Sequence, residues 1–121
     1  IARSIDGCGD LLLVGDSLGM VLYDYQNTLP VTLFQMIEHS KSVVGASEHA
    51  CIIVDMPFGT YEESKNLAFN NAARIMKETH CDGIKLEGGK KIIPTVKLLI
   101  KNKIPVFLNS STMQDLFSEI D

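Results

Sequence analysis

The 121-residue chain has no surplus of positive charge, no long apolar run and no framework of paired cysteines. Lys and Arg number 11 against 15 Asp and Glu, and only Lys90-Lys91 and Lys101-Lys103 form basic groups. Binding driven by phosphate neutralisation gathers basic side chains on one face, so no nucleic-acid partner is expected. The two short groups fit a solvated helix face. A membrane-crossing helix takes ~20 consecutive apolar residues; no stretch comes close, and no membrane partner is expected. The opening IARSIDGCGD lacks the basic region and apolar core of a secretory signal. It also lacks an initiator Met, which suggests an internal start. Cys8, Cys51 and Cys81 form no CxxC and no Cys/His pair with zinc spacing, which excludes a structural zinc. The odd count leads to an expectation of reduced thiols in a cytoplasmic interior. Each thiol sits beside strand-like apolar residues, a setting typical of buried rather than nucleophilic cysteine. There is no GxGxxG and no GxxxxGK[ST], so dinucleotide and P-loop sites lack their fingerprints. No repeat, low-complexity segment or linker divides the chain.

What the chain does have is alternation. Leu11 to Val14 reads as a buried strand, and residues 32–46 as a helix with Thr32 as N-cap and Phe34, Ile37, Val43 and Val44 as apolar positions. Cys51 to Val54 reads as a second buried strand. Residues 61–79 read as a helix whose Leu67, Ala68, Ala72, Ile75 and Met76 recur at helical spacing, with Thr60 and Glu63 as a capping box. GIKLEGG, residues 83–89, is a third strand; a helix at 90–102 tolerates Pro94 only near its first turn. IPVFLN, residues 104–109, is a fourth strand, and TMQDLFSEI begins another helix. Such alternation predicts right-handed βαβ crossovers and a parallel sheet. Four βα units make either a small doubly wound sheet or part of a (β/α)8 barrel. A whole barrel takes ~250 residues, so on the second reading the chain is about half of one.

Three of these strands end on acid: VGDSLG at Asp16, IVDMPFG at Asp55 and IKLEGG at Glu87. In a parallel α/β protein those ends share the carboxyl edge of the sheet, where active sites gather. Any one of the acids alone is more often a turn or cap residue than a site residue. Three converging carboxylates repel one another unless a cation neutralises them, and a hard divalent ion such as Mg²⁺ suits oxygen ligands. Residues two apart share a strand face, so Lys85 and Glu87 point the same way. That pair is either a structural ion pair or a site in which Lys85 meets a substrate carboxylate or an enolate oxygen. Gly88-Gly89 could also cradle a phosphate at a helix start. His39, His49 and His80 fall in a helix, a loop and a helix end and read as surface residues.

LLLVGDSLGMV, NTLPVT, VDMPFGTY, NAARIMKE and GIKLEGG, in that order and spacing, resemble the ketopantoate hydroxymethyltransferase family over roughly residues 9–107. The resemblance implies a (β/α)8 TIM barrel that binds Mg²⁺. It implies transfer of a one-carbon unit from 5,10-methylenetetrahydrofolate to the 2-oxoacid 3-methyl-2-oxobutanoate, giving 2-dehydropantoate for pantothenate and coenzyme A. By motif, Asp16, Asp55 and Glu87 would hold the metal, and Asp16, Ser17, Asp55 and Lys85 would bind the oxoacid. The full-length family implies a homo-oligomer. The family's general-base Glu is expected beyond Asp121, leaving no catalytic base among these residues.

The chain is accordingly expected to be one partial barrel domain over residues 1–121, without the first strand and the C-terminal half. It departs from the family pattern after Ile104-Pro105-Val106, reading FLNSSTMQD where a Gly-His and a Leu-Thr-Pro-Gln segment are expected. The expected His falls at Leu108 or Asn109. That departure leaves two alternatives: an Mg²⁺-dependent lyase of the phosphoenolpyruvate/pyruvate barrels, or a non-catalytic remnant of the scaffold.

Overall fold

The computed structural model describes residues 9–15 and 31–118. Strands and helices alternate as β1 Asp10–Val14, α1 Leu33–Ala46, β2 Ala50–Asp55, α2 Lys65–Thr79, β3 Gly83–Lys85, α3 Ile93–Lys101, β4 Val106–Phe107 and α4 Ser110–Ser118. A single 3-10 turn, Lys90–Ile92, precedes α3. All strand pairings are parallel, and the sheet runs β1-β2-β3-β4 in chain order. A doubly wound sheet reverses its order at a switch point and carries helices on both faces. Unbroken order brings each crossover back on one side, as in a barrel. The helices follow suit, with α1 against α2, α2 against α3 and α3 against α4. The architecture is therefore part of an α/β barrel.

Local chemistry sets each helix. Thr32 accepts from the Gln35 N–H at 3.1 Å, and the Gln35 side chain accepts from the Thr32 N–H at 3.0 Å, a reciprocal capping box. In α2 the buried residues Ala68, Ala72, Ile75 and Thr79 make one stripe at helical spacing. Alanine on that stripe lets the helix lie close to the sheet. Pro94 sits in the first turn of α3, where its missing N–H costs nothing. Asn109 caps α4, its side-chain oxygen accepting from the Thr112 N–H at 2.8 Å.

Alternation along the strands gives the sheet two faces. Val14, Ile52, Val54 and Ile84 pack into the core beneath the helices, together with Ile37, Ile75, Val96 and Leu99. The register places Leu11, Leu13, Ile53, Asp55, Lys85 and Phe107 on the opposite face. Here the reading of β1 as fully buried is corrected: Leu11, Leu12 and Leu13 are 54%, 42% and 52% exposed. Among the described residues β1 is an edge strand with β2 as its one neighbour, so an apolar run does not imply burial on both sides. The expectation of reduced thiols is corrected as well. Cys81 is a free buried thiol, but Cys51 is disulfide-bonded. Cys51 lies on β2, where its register neighbour on β1 is Leu11. No helix among the described residues is long and apolar enough to cross a membrane.

Candidate functional site

Asp55 closes β2, and its register partner on β3 is Lys85. The Met56 N–H donates to the Lys85 carbonyl at 3.0 Å, so the chain leaves β2 still tied to β3. The Asp55 carboxylate reaches toward β1: a Cβ built on Gly15 would stand 3.5 Å from Asp55 Oδ2. Asp16 and Ser17 lie outside the described residues. Lys85 Nζ stands 3.8 Å from Glu87 Oε1, with the lysine side chain 27% and the glutamate 63% exposed. Asp55, Lys85 and Glu87 thus gather at the carboxyl ends of β2 and β3. Among the described residues, no three His, Cys, Asp or Glu side chains are grouped to hold a metal.

Beside this edge opens a pocket of about 230 Å³, lined by Leu11, Leu13, Ile53, Lys85, Phe107 and Leu108. Its lining is five apolar side chains and Lys85. Gly83 keeps the floor of this face low: a Cβ there would meet Phe107 at 3.0 Å and the Pro105 carbonyl at 3.2 Å.

Two residues at the site escape a reading by sequence. Tyr61 is buried, donates its hydroxyl to the Glu87 carbonyl at 3.0 Å and accepts from the Glu87 N–H at 3.2 Å. Burial raises the Tyr61 phenol above its ordinary pKa; the Glu87 amide opposes this, and the carboxylates of Glu62, Asp55 and Glu87 add to it. The phenol therefore stays protonated as a donor. From α4, the buried Thr112 hydroxyl donates to the Gly88 carbonyl. Tyr61 was hidden by the expected helix start at residue 61, a boundary the structure corrects to Lys65 with Ser64 as N-cap. Thr60 does not cap the helix. Its hydroxyl bonds back to the Pro57 carbonyl at 2.6 Å, and Glu62 accepts from the Gly59 and Tyr61 N–H groups. Residues 57–63 thus form a loop, tied to Glu87 through Tyr61.

The third strand is also shorter than expected, stopping at Lys85, so Glu87 stands on the loop. Gly88 there has φ +145°, a conformation that favours glycine, and Ile92 occupies the space beside it. Burial raises the Cys81 thiol pKa, partly offset by contacts with Thr79 and Gly83. His80 ends α2 in a left-handed conformation, and His49 is exposed beside Glu48.

Residues 1–109 match a family model described as ketopantoate hydroxymethyltransferase. The chain is 60% identical over 107 residues to the 3-methyl-2-oxobutanoate hydroxymethyltransferase of Brucella canis, covering 88% of this chain and 39% of that protein. It is 56% identical over 116 residues to the enzyme of the same name from Agrobacterium fabrum, covering 96% and 42%. For the one from Rhizobium etli the identity is 56% over 106 residues, covering 88% and 39%. The chain spans about two fifths of the length of these relatives. With its parallel βα units in sequential order and this identity along most of its length, the chain belongs to the ketopantoate hydroxymethyltransferase family.

Proposed function

We propose that the chain forms the oxoacid- and metal-binding edge of a hydroxymethyltransferase. The reaction adds a one-carbon unit from 5,10-methylenetetrahydrofolate to 3-methyl-2-oxobutanoate, with water supplying the new hydroxyl and tetrahydrofolate leaving, giving 2-dehydropantoate for pantothenate and coenzyme A. The observation that carries this reading is the placement of Asp55 beside Lys85, and of Glu87 beside Lys85, at the carboxyl edge of a parallel sheet. The relatives' names support only the coarser part of this reading, a hydroxymethyl transfer to 3-methyl-2-oxobutanoate.

Carboxylate oxygens are hard donors, and Mg²⁺ is commonly held by one or two of them with substrate oxygens completing its shell. The donor set of Asp55 and Glu87 fits such an ion, with Asp16 as a further ligand by motif. When bound, Mg²⁺ supplies polarisation of the 2-oxo group, which acidifies the adjacent carbon. The Lys85 ammonium binds the acid's carboxylate and offsets negative charge building beside it. Ser17, Asp16 and Asp55 orient the acid's oxygens, while Leu11, Leu13, Ile53 and Phe107 receive its branched alkyl group. On this reading Asp55, Lys85 and Glu87 bind and orient the acid.

Calorimetric titration with 3-methyl-2-oxobutanoate, with and without MgCl₂, tests this reading. Binding that depends on Mg²⁺ and is lost in Asp16→Ala and Glu87→Ala supports it. Equal binding by both variants and the parent chain removes the metal site.

A further inference from the structure

We propose that Tyr61 and Thr112 are positioning residues for Glu87, two hydroxyls from separate βα units that fix the loop on which its carboxylate stands. This rests on the reading of Glu87 as a ligand-binding residue. Beyond Lys85 the chain has left the strand, and the Leu86 N–H donates to the Phe107 carbonyl as the last tie to β4. The Glu87 N–H and C=O are then both taken by Tyr61, and the Gly88 C=O by Thr112. Tyr61 is 7% and Thr112 1% exposed, so water does not readily replace either hydroxyl.

The Glu87 side chain cannot orient itself. It is 63% exposed, and its contact with Lys85 is a 3.8 Å ion pair, which holds geometry weakly. Its direction is set by the backbone, and the backbone by the two hydroxyls. Because Tyr61 belongs to the loop that follows Asp55 at the end of β2, the same phenol ties that loop to the Glu87 backbone.

Amide hydrogen exchange and titration with 3-methyl-2-oxobutanoate in MgCl₂ test this on the parent chain, Tyr61→Phe, Thr112→Val and Thr112→Ser. Ile75→Val serves as a control that weakens the core under α2 away from the loop. Losing one buried hydrogen-bonding hydroxyl is expected to raise the Kd roughly five- to tenfold in Tyr61→Phe and Thr112→Val. The Glu87 amide should exchange faster in Tyr61→Phe than in the parent. Thr112→Ser keeps its hydroxyl and should retain parental affinity, as should Ile75→Val despite its lower melting temperature. Parental affinity in both Tyr61→Phe and Thr112→Val, or equal weakening by Ile75→Val, overturns the positioning role while leaving the site reading intact. A parent chain that does not bind the acid overturns the site reading, and the positioning role with it.

Discussion

Replacing Lys85 by methionine distinguishes a lysine that holds the fold together from one that holds a ligand. The ammonium lies 3.8 Å from Glu87, whose side chain is 63% exposed. Measured pairs of this exposure contribute about 0.2–1 kcal/mol once side-chain entropy and solvent screening are counted. Methionine preserves most of the apolar stem along the wall shared with Ile53 and Phe107. The expected loss of stability is therefore under about 1 kcal/mol. A carboxylate ligand, by contrast, loses a charge-assisted hydrogen bond in a mostly apolar pocket, about 1.5–3 kcal/mol, which is roughly a 10- to 100-fold rise in Kd. Urea melts and titration with 3-methyl-2-oxobutanoate on the same preparations read both numbers. A loss of more than about 2 kcal/mol of stability with affinity unchanged would make Lys85 a structural partner of Glu87 and refute its role toward the acid.

Two further outcomes follow from buried groups away from the site. Ser40 is fully buried in α1 with no hydrogen-bond partner for its hydroxyl among the described residues, so Ser40→Ala should stabilise the chain by about 1 kcal/mol in urea melts. Because the folded Cys81 thiol has a raised pKa, its contribution is complete below the ordinary value of 9.0 and is lost as pH climbs past it, when only the unfolded thiol ionises. Cys81→Ala should flatten the alkaline decline of the melting temperature, and an unchanged slope would count against the burial argument.

Where short-range chemistry decided structure, the residues could be read directly. The Thr32 cap, the α2 stripe and the place of Pro94 each depend on neighbours within a turn of helix. Thr60-x-x-Glu63 misleads because the same spacing serves a competing structure: the Thr60 hydroxyl turns back to Pro57, and Ser64 caps the helix. Similarly, the leucines of β1 carry the composition of a buried strand, but burial depends on what lies beside the strand, which no local pattern encodes. Asp55, Lys85 and Glu87 were legible as a group because parallel topology brings strand ends to one edge. Tyr61 and Thr112 were not, since they reach Glu87 and Gly88 across 26 and 24 positions.

The two edges of the sheet use acid differently, and Asp82 shows how. It stands just before β3, at the amino edge, where its carboxylate accepts from the Ile52 N–H at 2.8 Å and its own N–H donates to the Ile52 carbonyl at 2.8 Å. Ile52 is 1% exposed, so removing the carboxylate strands a buried donor in the middle of β2. Asp82→Ala should cost about 2 kcal/mol of stability, and Asp82→Asn, which keeps an acceptor oxygen, should recover much of it. Neither should change affinity for the oxoacid, because the ligand edge lies at the other end of the strands. Glu87→Gln should do the reverse, leaving the urea midpoint close to the parent's while weakening binding, since its side chain is mostly exposed. If Asp82→Ala weakens the acid's binding without loss of stability, the division of labour between the edges is wrong. If Glu87→Gln destabilises the chain as much as Asp82→Ala, the Glu87 carboxylate is structural and the ligand edge must be sought elsewhere.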